Sequence, residues 1–214
     1  MATYEISKSF VRPGPLTGKG VQLCRMFGLT LERLHDRRVT HRCRLELNPG
    51  DIVYIMGPSG AGKSVLLREL EGAVPPGDCV NLAQIPLPGD RSVIDCFDSD
   101  VVASLRLLGA VGLGEVFCLL NEPCNLSDGQ KYRFRLAQAM AAGKPFIFAD
   151  EFSSELDRVT AAAVAFNVRK FAKRTGTTFV LASSHEDILI DLAPDVLVIK
   201  DLSGSSEVIY RTRR

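Results

Sequence analysis

The sequence predicts an α/β domain built on a mostly parallel central sheet, and three observations predict it. The apolar runs "IVYIM" (52–56), "FIFAD" (146–150), "TFVLAS" (178–183) and "VLVIK" (196–200) have the length and continuity of strands buried on both faces. Helix-like segments separate them, and buried strands alternating with helices pack as a layered α/β structure. A glycine-rich stretch, "GPSGAGKS", joins the first run to the helical "KSVLLRELEG", a strand–turn–helix setting that gives such a stretch a phosphate-binding meaning.

Along the chain, "ATYEISKSF", "VQLCRMFGLT" and "RCRLELNPGD" alternate apolar and polar residues, which predicts a half-exposed antiparallel sheet in the first fifty residues. Residues from 86 to about 125 begin Pro-rich, become helical and contain the turn-like "GAVGLG". With the helix after them they are expected to form a compact helical subdomain, about 86–142, inserted into one domain spanning 1–214. "GQKYRFRLAQAMAAG" and "RVTAAAVAFNVRKFAKRTG" each end at a glycine suited to a helix C-terminus.

Composition narrows the function classes. With 26 basic and 25 acidic side chains the net charge is +1, so no global field draws the chain to nucleic acid. The basic clusters at 33–42, at 169–174 and in the final "RTRR" read as solvated faces. No apolar run reaches the ~20 residues of a membrane span, and the N-terminus lacks a signal-peptide pattern, so a cytosolic protein is expected. Six scattered cysteines without metal-ligand spacing read as reduced, mostly buried thiols.

The phosphate site comes first among the chemical motifs. Gly57, Pro58, Ser59, Gly60, Ala61, Gly62, Lys63, Ser64 and Val65 are the predicted nucleotide-binding set. Backbone N–H groups of Gly60 to Lys63 can converge on phosphate oxygens because the glycines carry no obstructing side chain. Lys63 adds a positive charge, and the Ser64 hydroxyl suits one position on Mg²⁺. In "FIFADE", Asp150 falls at the C-terminal tip of a buried strand, where sheets of this class hold ligands, and suits the metal. Glu151, one residue on, suits the base that orients a water. His185 in "LASSHEDI" emerges at the same sheet edge, where an imidazole can bond a γ-phosphate. His35 and His41 are given no role.

"GPSGAGKS", "LSDGQ", "FIFADE", "SSELD" and "SSH" occur in the succession found in ATP-binding-cassette (ABC) ATPases, and from about Leu45 to Lys200 the chain resembles that family. "LSDGQ" differs by one residue from the family's LSGGQ signature. The resemblance implies a P-loop ATPase using ATP and Mg²⁺, in which Ser127, Gly129 and Gln130 of one copy cover the ATP held by a second copy, head to tail. ATP then joins two identical surfaces, which is why one chain carries both tracts. It further implies that Gln84 contacts Mg²⁺ and the water, and that Asp157 lies nearest the partner copy's phosphate loop. Asp128 replaces the usual Gly; it sits near phosphate or faces away as a helix cap, the second being preferred. Phe152 replaces a proline. For the adenine, Phe27 is the candidate stacking ring, with core packing the competing reading.

The family fixes the engine and leaves the task open. The stretches from Lys63 to Gln84 and from Gln84 to Ser127 are short for a transporter subunit, and no regulatory tail follows "RTRR". The signature and Asp150 regions look more like small non-transport ABC ATPases, some fused to predicted acetyltransferases. A non-transport mechanochemical ATPase is therefore the leading expectation, ahead of the ATP-binding subunit of a membrane transporter, with a membrane or nucleic-acid partner left undecided. A scaffold without turnover is disfavoured because Lys63, Asp150, Glu151 and His185 are all present.

Overall fold

In the computed structural model, which describes residues 1–10, 16–30 and 39–212, two sheets are present. The larger has six strands: β3 (Ile52–Met56), β4 (Cys79–Asn81), β5 (Phe146–Ala149), β6 (Thr178–Ser183), β7 (Val196–Lys200) and β8 (Ser206–Tyr210). Their spatial order is β4-β5-β6-β3-β7-β8. All neighbours are parallel except β8, which runs antiparallel along β7. The four apolar runs read from the sequence are its four inner strands, and β3 and β6 are buried at every position.

Because side chains alternate across the sheet, each face has its own core. Ile52, Tyr54, Phe179 and Leu181 join one cluster, while Val53, Ile55, Val180 and Ala182 join the other. The first face is covered by α3 (Val101–Ala110), α5 (Asp128–Ala141) and α6 (Arg158–Thr175), with the short α4 (Val116–Leu119) between the first two. The second is covered by α2 (Lys63–Ala73) and by a hairpin-like pair, β1 (Ala2–Phe10) antiparallel to β2 (Val39–Leu47). A one-turn helix, α7 (Leu189–Leu192), precedes β7. No described helix is long and apolar enough to cross a membrane.

Both predicted glycine stops hold. Gly176 caps α6 with φ 77°, and Gly143, φ 61°, follows the end of α5. Two expectations change. The segment 21–30 is not a strand: Gly18–Met26 forms helix α1, capped by Thr17 and with no buried residue. Its apparent alternation lacked a sheet face to serve; Leu23, Met26 and Phe27 are exposed. Of the cysteines, only Cys43 and Cys118 are buried and Cys124 is exposed, so "mostly buried" was too strong. The basic tract at 33–42 lies outside the described residues up to 38. Edge strands β4 and β8 carry too little apolar patterning to announce themselves.

Candidate functional site

The order of strands brings three C-terminal tips together. β3 lies beside β6, and β6 beside β5, so the turns after Met56, Ala149 and Ser183 open at one edge. Between them is a cavity of about 450 Å³ lined by the phosphate loop, Asp150, Glu151, Ser154 and the Ser183–Ser184 pair.

The loop's glycines are dictated by backbone and space. Gly57 has φ 147° and passes against the carbonyl of Lys200 on β7, where a β-carbon would overlap it. Gly62 has φ 85° and lies against the ring of buried His41 on β2. As N-cap of α2 in the left-handed conformation, Gly62 supplies no side-chain acceptor, so the first-turn N–H groups are left for an anion. Lys63 folds back over its own loop, its Nζ donating to the carbonyls of Gly57 (2.8 Å) and Pro58 (3.1 Å). Ser59, Gly60, Gly62, Lys63, Ser64 and Val65 line the cavity, whereas Gly57, Pro58 and Ala61 shape the loop behind it.

Asp150 and Glu151 reach the same cavity through an unusual backbone. Glu151 and Ser153 both have positive φ, 51° and 63°, conformations costing about 1–3 kcal/mol each for non-glycine residues. Neighbours hold the turn: Phe152 N–H donates to Ala182 O at 2.8 Å, and Ser153 N–H to the Tyr132 hydroxyl at 3.3 Å. Phe152 is fully buried with its ring 6.4 Å from that of Tyr132. It anchors the strained turn from within the core.

His185 is exposed and is not among the lining residues; Ser183 and Ser184 before it are. The Tyr54 hydroxyl, buried under the sheet edge, donates to the His185 carbonyl at 2.6 Å, and burial pushes that phenol's pKa up. Tyr54 was missed in the sequence, although a tyrosine in a fully apolar strand needs a partner for its hydroxyl. Gln84, too, is off the cavity, its amide donating to Glu71 at 3.3 Å. Phe27 is 71% exposed at the end of α1 and lines no cavity with the phosphate loop, so neither stacking nor core packing is seen in the single chain.

The second tract stands apart from this cavity. Ser127 caps α5, accepting from Gln130 N–H at 3.3 Å, while the Gln130 side chain accepts from Ser127 N–H at 3.0 Å. The Asp128 side chain is 85% exposed and 3.9 Å from Lys131, and Ser127, not Asp128, performs the capping. Gly129 packs on the 151–157 loop: a β-carbon there would meet Glu155 O at 2.8 Å. Asp157 caps α6 through the N–H groups of Val159 (3.1 Å) and Thr160 (3.0 Å). α5 also ties the region together, Arg135 donating to Ile85 O and Arg133 to Gly112 O.

The residues present fit a magnesium nucleotide. A side-chain-free helix start and Lys63 suit phosphate, and Ser64 and Asp150 offer a hydroxyl and a carboxylate in one cavity. Mg²⁺ bound with phosphates needs only one or two such protein ligands, and no self-sufficient group of metal-binding side chains occurs among the described residues.

The sequence model described as ABC transporter matches residues 40–93. The aliphatic sulfonates import ATP-binding protein SsuB 1 of Paracoccus denitrificans is 30% identical over 197 residues, covering 84% of this chain and 78% of its own. The zinc import ATP-binding protein ZnuC of Roseobacter denitrificans is 31% identical over 188 residues, covering 80% and 72%. Among solved structures, the dimeric bacterial ABC transporter cassette MJ0796 superposes with a TM-score of 0.64 at 19% identity, over 82% of this chain and 92% of that one. Its post-hydrolysis dimer bound to ADP and Pi gives a TM-score of 0.62 at 18% identity, over the same shares of the two chains.

Proposed function

The chain belongs to the ABC transporter family and is an ATPase that uses ATP with Mg²⁺, and from that premise we propose that it is the ATP-binding subunit of an import transporter. The observation that carries this is the match, over four fifths of the chain, to subunits named for the import of sulfonates and zinc. That match outweighs the short stretches on either side of Gln84, which had favoured a non-transport task. In this reading the chain works at the cytoplasmic face of the membrane, with residues 86–142 as a helical lobe that meets a membrane-spanning partner.

Bound Mg²⁺ supplies positive charge to the β- and γ-phosphates, and the chain's own residues do the rest. N–H groups of Gly60 to Lys63 and the Lys63 ammonium hold the phosphates. Ser64 and Asp150 would hold the metal, and Gln84, whose amide donates to Glu71, would join them. Glu151 orients the attacking water and takes its proton. His185 bonds the γ-phosphate from the end of β6, its carbonyl fixed by Tyr54. Two copies assemble head to tail, so that Ser127, Gly129 and Gln130 of each cover the nucleotide of the other, with Asp157 at the seam. The separation of the capped α5 start from the cavity of its own chain supports that division of labour.

Purifying the tagged chain from membranes of its own host tests the transport reading. A multi-spanning protein should accompany it in constant ratio and stimulate its ATP turnover. Recovery of the chain without any membrane protein, with turnover indifferent to added membranes, would overturn the reading.

A further inference from the structure

Toward the C-terminal ends of α5 and α6, a cleft of about 440 Å³ opens between α3, α5 and α6. Its apolar wall is Leu107, Met140 and Phe171, with the small Ala103 and Ala110 leaving the room. Around that wall stand Arg106, Lys170 and Arg174. No Asp or Glu lines it, and among the described residues none of the three cations is in a salt bridge. Arg174 is instead held over the Phe171 ring, 5.8 Å from its centroid. The walls are fixed by bonds that leave the cations unused: Asn167 donates to Ala110 O at 2.8 Å, joining α6 to the end of α3, and Ser104 bonds back to Ser99 and Asp100.

Three positive charges gathered without a counter-charge repel one another, and a solvated surface has no need to collect them around an apolar wall. The volume falls in the ~300–1,000 Å³ range of small-molecule sites, which combine apolar walls with a few polar groups that fix orientation. We infer that this cleft is a second ligand site, distinct from the nucleotide cavity, for a small amphiphilic organic anion: an apolar body against Leu107, Met140 and Phe171, with a sulfonate, carboxylate or phosphate head among Arg106, Lys170 and Arg174. Guanidinium groups favour such heads because their planar N–H pairs match two oxygens at once. The inference does not depend on the transport reading, since it uses no residue of the ATP site.

Sodium 1-octanesulfonate is the probe, titrated by calorimetry into the full chain saturated with Mg-ADP so that the phosphate loop is filled. Saturable binding of one probe per chain is expected, weakening as salt is raised. Arg106→Ala combined with Lys170→Ala and Arg174→Ala should weaken it by about tenfold or more, and these exposed positions carry little of the fold. Ala103→Phe, which fills the cleft and keeps every charge, should abolish binding. Octylammonium, with the same tail and opposite head, should not bind. Equal affinity in wild type and the triple variant, binding untouched by Ala103→Phe, equal binding of octylammonium, or no saturable binding at millimolar probe would each overturn the site.

Discussion

The starts of α2 and α5 present the same free backbone groups and treat them in opposite ways. α2 begins at a left-handed glycine with no side-chain acceptor, leaving its N–H donors to face the cavity. α5 begins with a reciprocal Ser127–Gln130 box that already satisfies two donors inside the chain. Leaving helix N–H groups unpaired costs stability, so an uncapped start is kept where an anion completes it. The α2 start is open at a cavity within one copy, as the proposed phosphate site requires. The α5 start is capped within its own chain, and in the proposed dimer it would offer the N–H groups of Asp128 and Gly129 to the nucleotide of the other copy.

The largest expected effect breaks chemistry at the first site while leaving both helix starts intact. Glu151→Gln should lower ATP turnover by ~10²–10⁴-fold, the range for a lost general base, and should leave ATP-dependent dimers that persist in light scattering. Unchanged turnover would remove Glu151 from the mechanism. Next, Lys63→Ala should weaken ATP binding by about 100-fold in a fluorescent-nucleotide titration, from lost charge-assisted bonds. The same measurement on Ser127→Ala should show little change in the single chain, because its start lies outside the cavity. A comparable loss in both variants would erase the distinction between the two starts.

Stability changes sharpen the contrast further. Gly62→Ala forces a side chain into a φ of 85° against His41, a strain of about 1–2 kcal/mol before any overlap, and should lower the urea midpoint. Ser127→Ala should cost about 1 kcal/mol in the same assay from the lost cap. The smallest effect concerns a third start, that of α6. Hydrogen bonds from Thr160, and from Val159 after it, hold the Asp157 carboxyl below its usual pKa. Its stabilisation is therefore complete above the unfolded value near ~3.9 and fades as the pH falls through the lower folded value. Asp157→Asn keeps a capping oxygen but cannot titrate, so its acid unfolding curve should be flatter below about pH 4. An identical acid limb in the two proteins would count against that cap as the source.

Much of this was readable in the residues. The inner strands were legible because burial on both faces demands unbroken apolar runs, and the phosphate loop because its glycines meet backbone requirements that other residues fail. Gln84, Phe27 and His185 illustrate the opposite case: the first two roles were expected from resemblance and the third from its place after a strand, and in the single chain none of them lines the cavity. α1 was misread because nine residues of which none is buried carry no burial pattern from which a period can be taken. His41 gave no signal at all, being one polar residue in a half-buried strand, yet it packs against Gly62.

By itself the sequence determined which segments are the inner strands, where a glycine-rich loop joins a strand to a helix, and which carboxylates follow β5, since each of these rests on local period, local backbone freedom or adjacency in the chain. Only the tertiary structure decided that Phe152 is a core anchor, that Tyr54 holds the His185 carbonyl, and that Gly129 must be small to lie on Glu155. Those depend on contacts between residues distant in sequence, whose distances are set by how sheet and helices pack and are written in no single stretch of the chain.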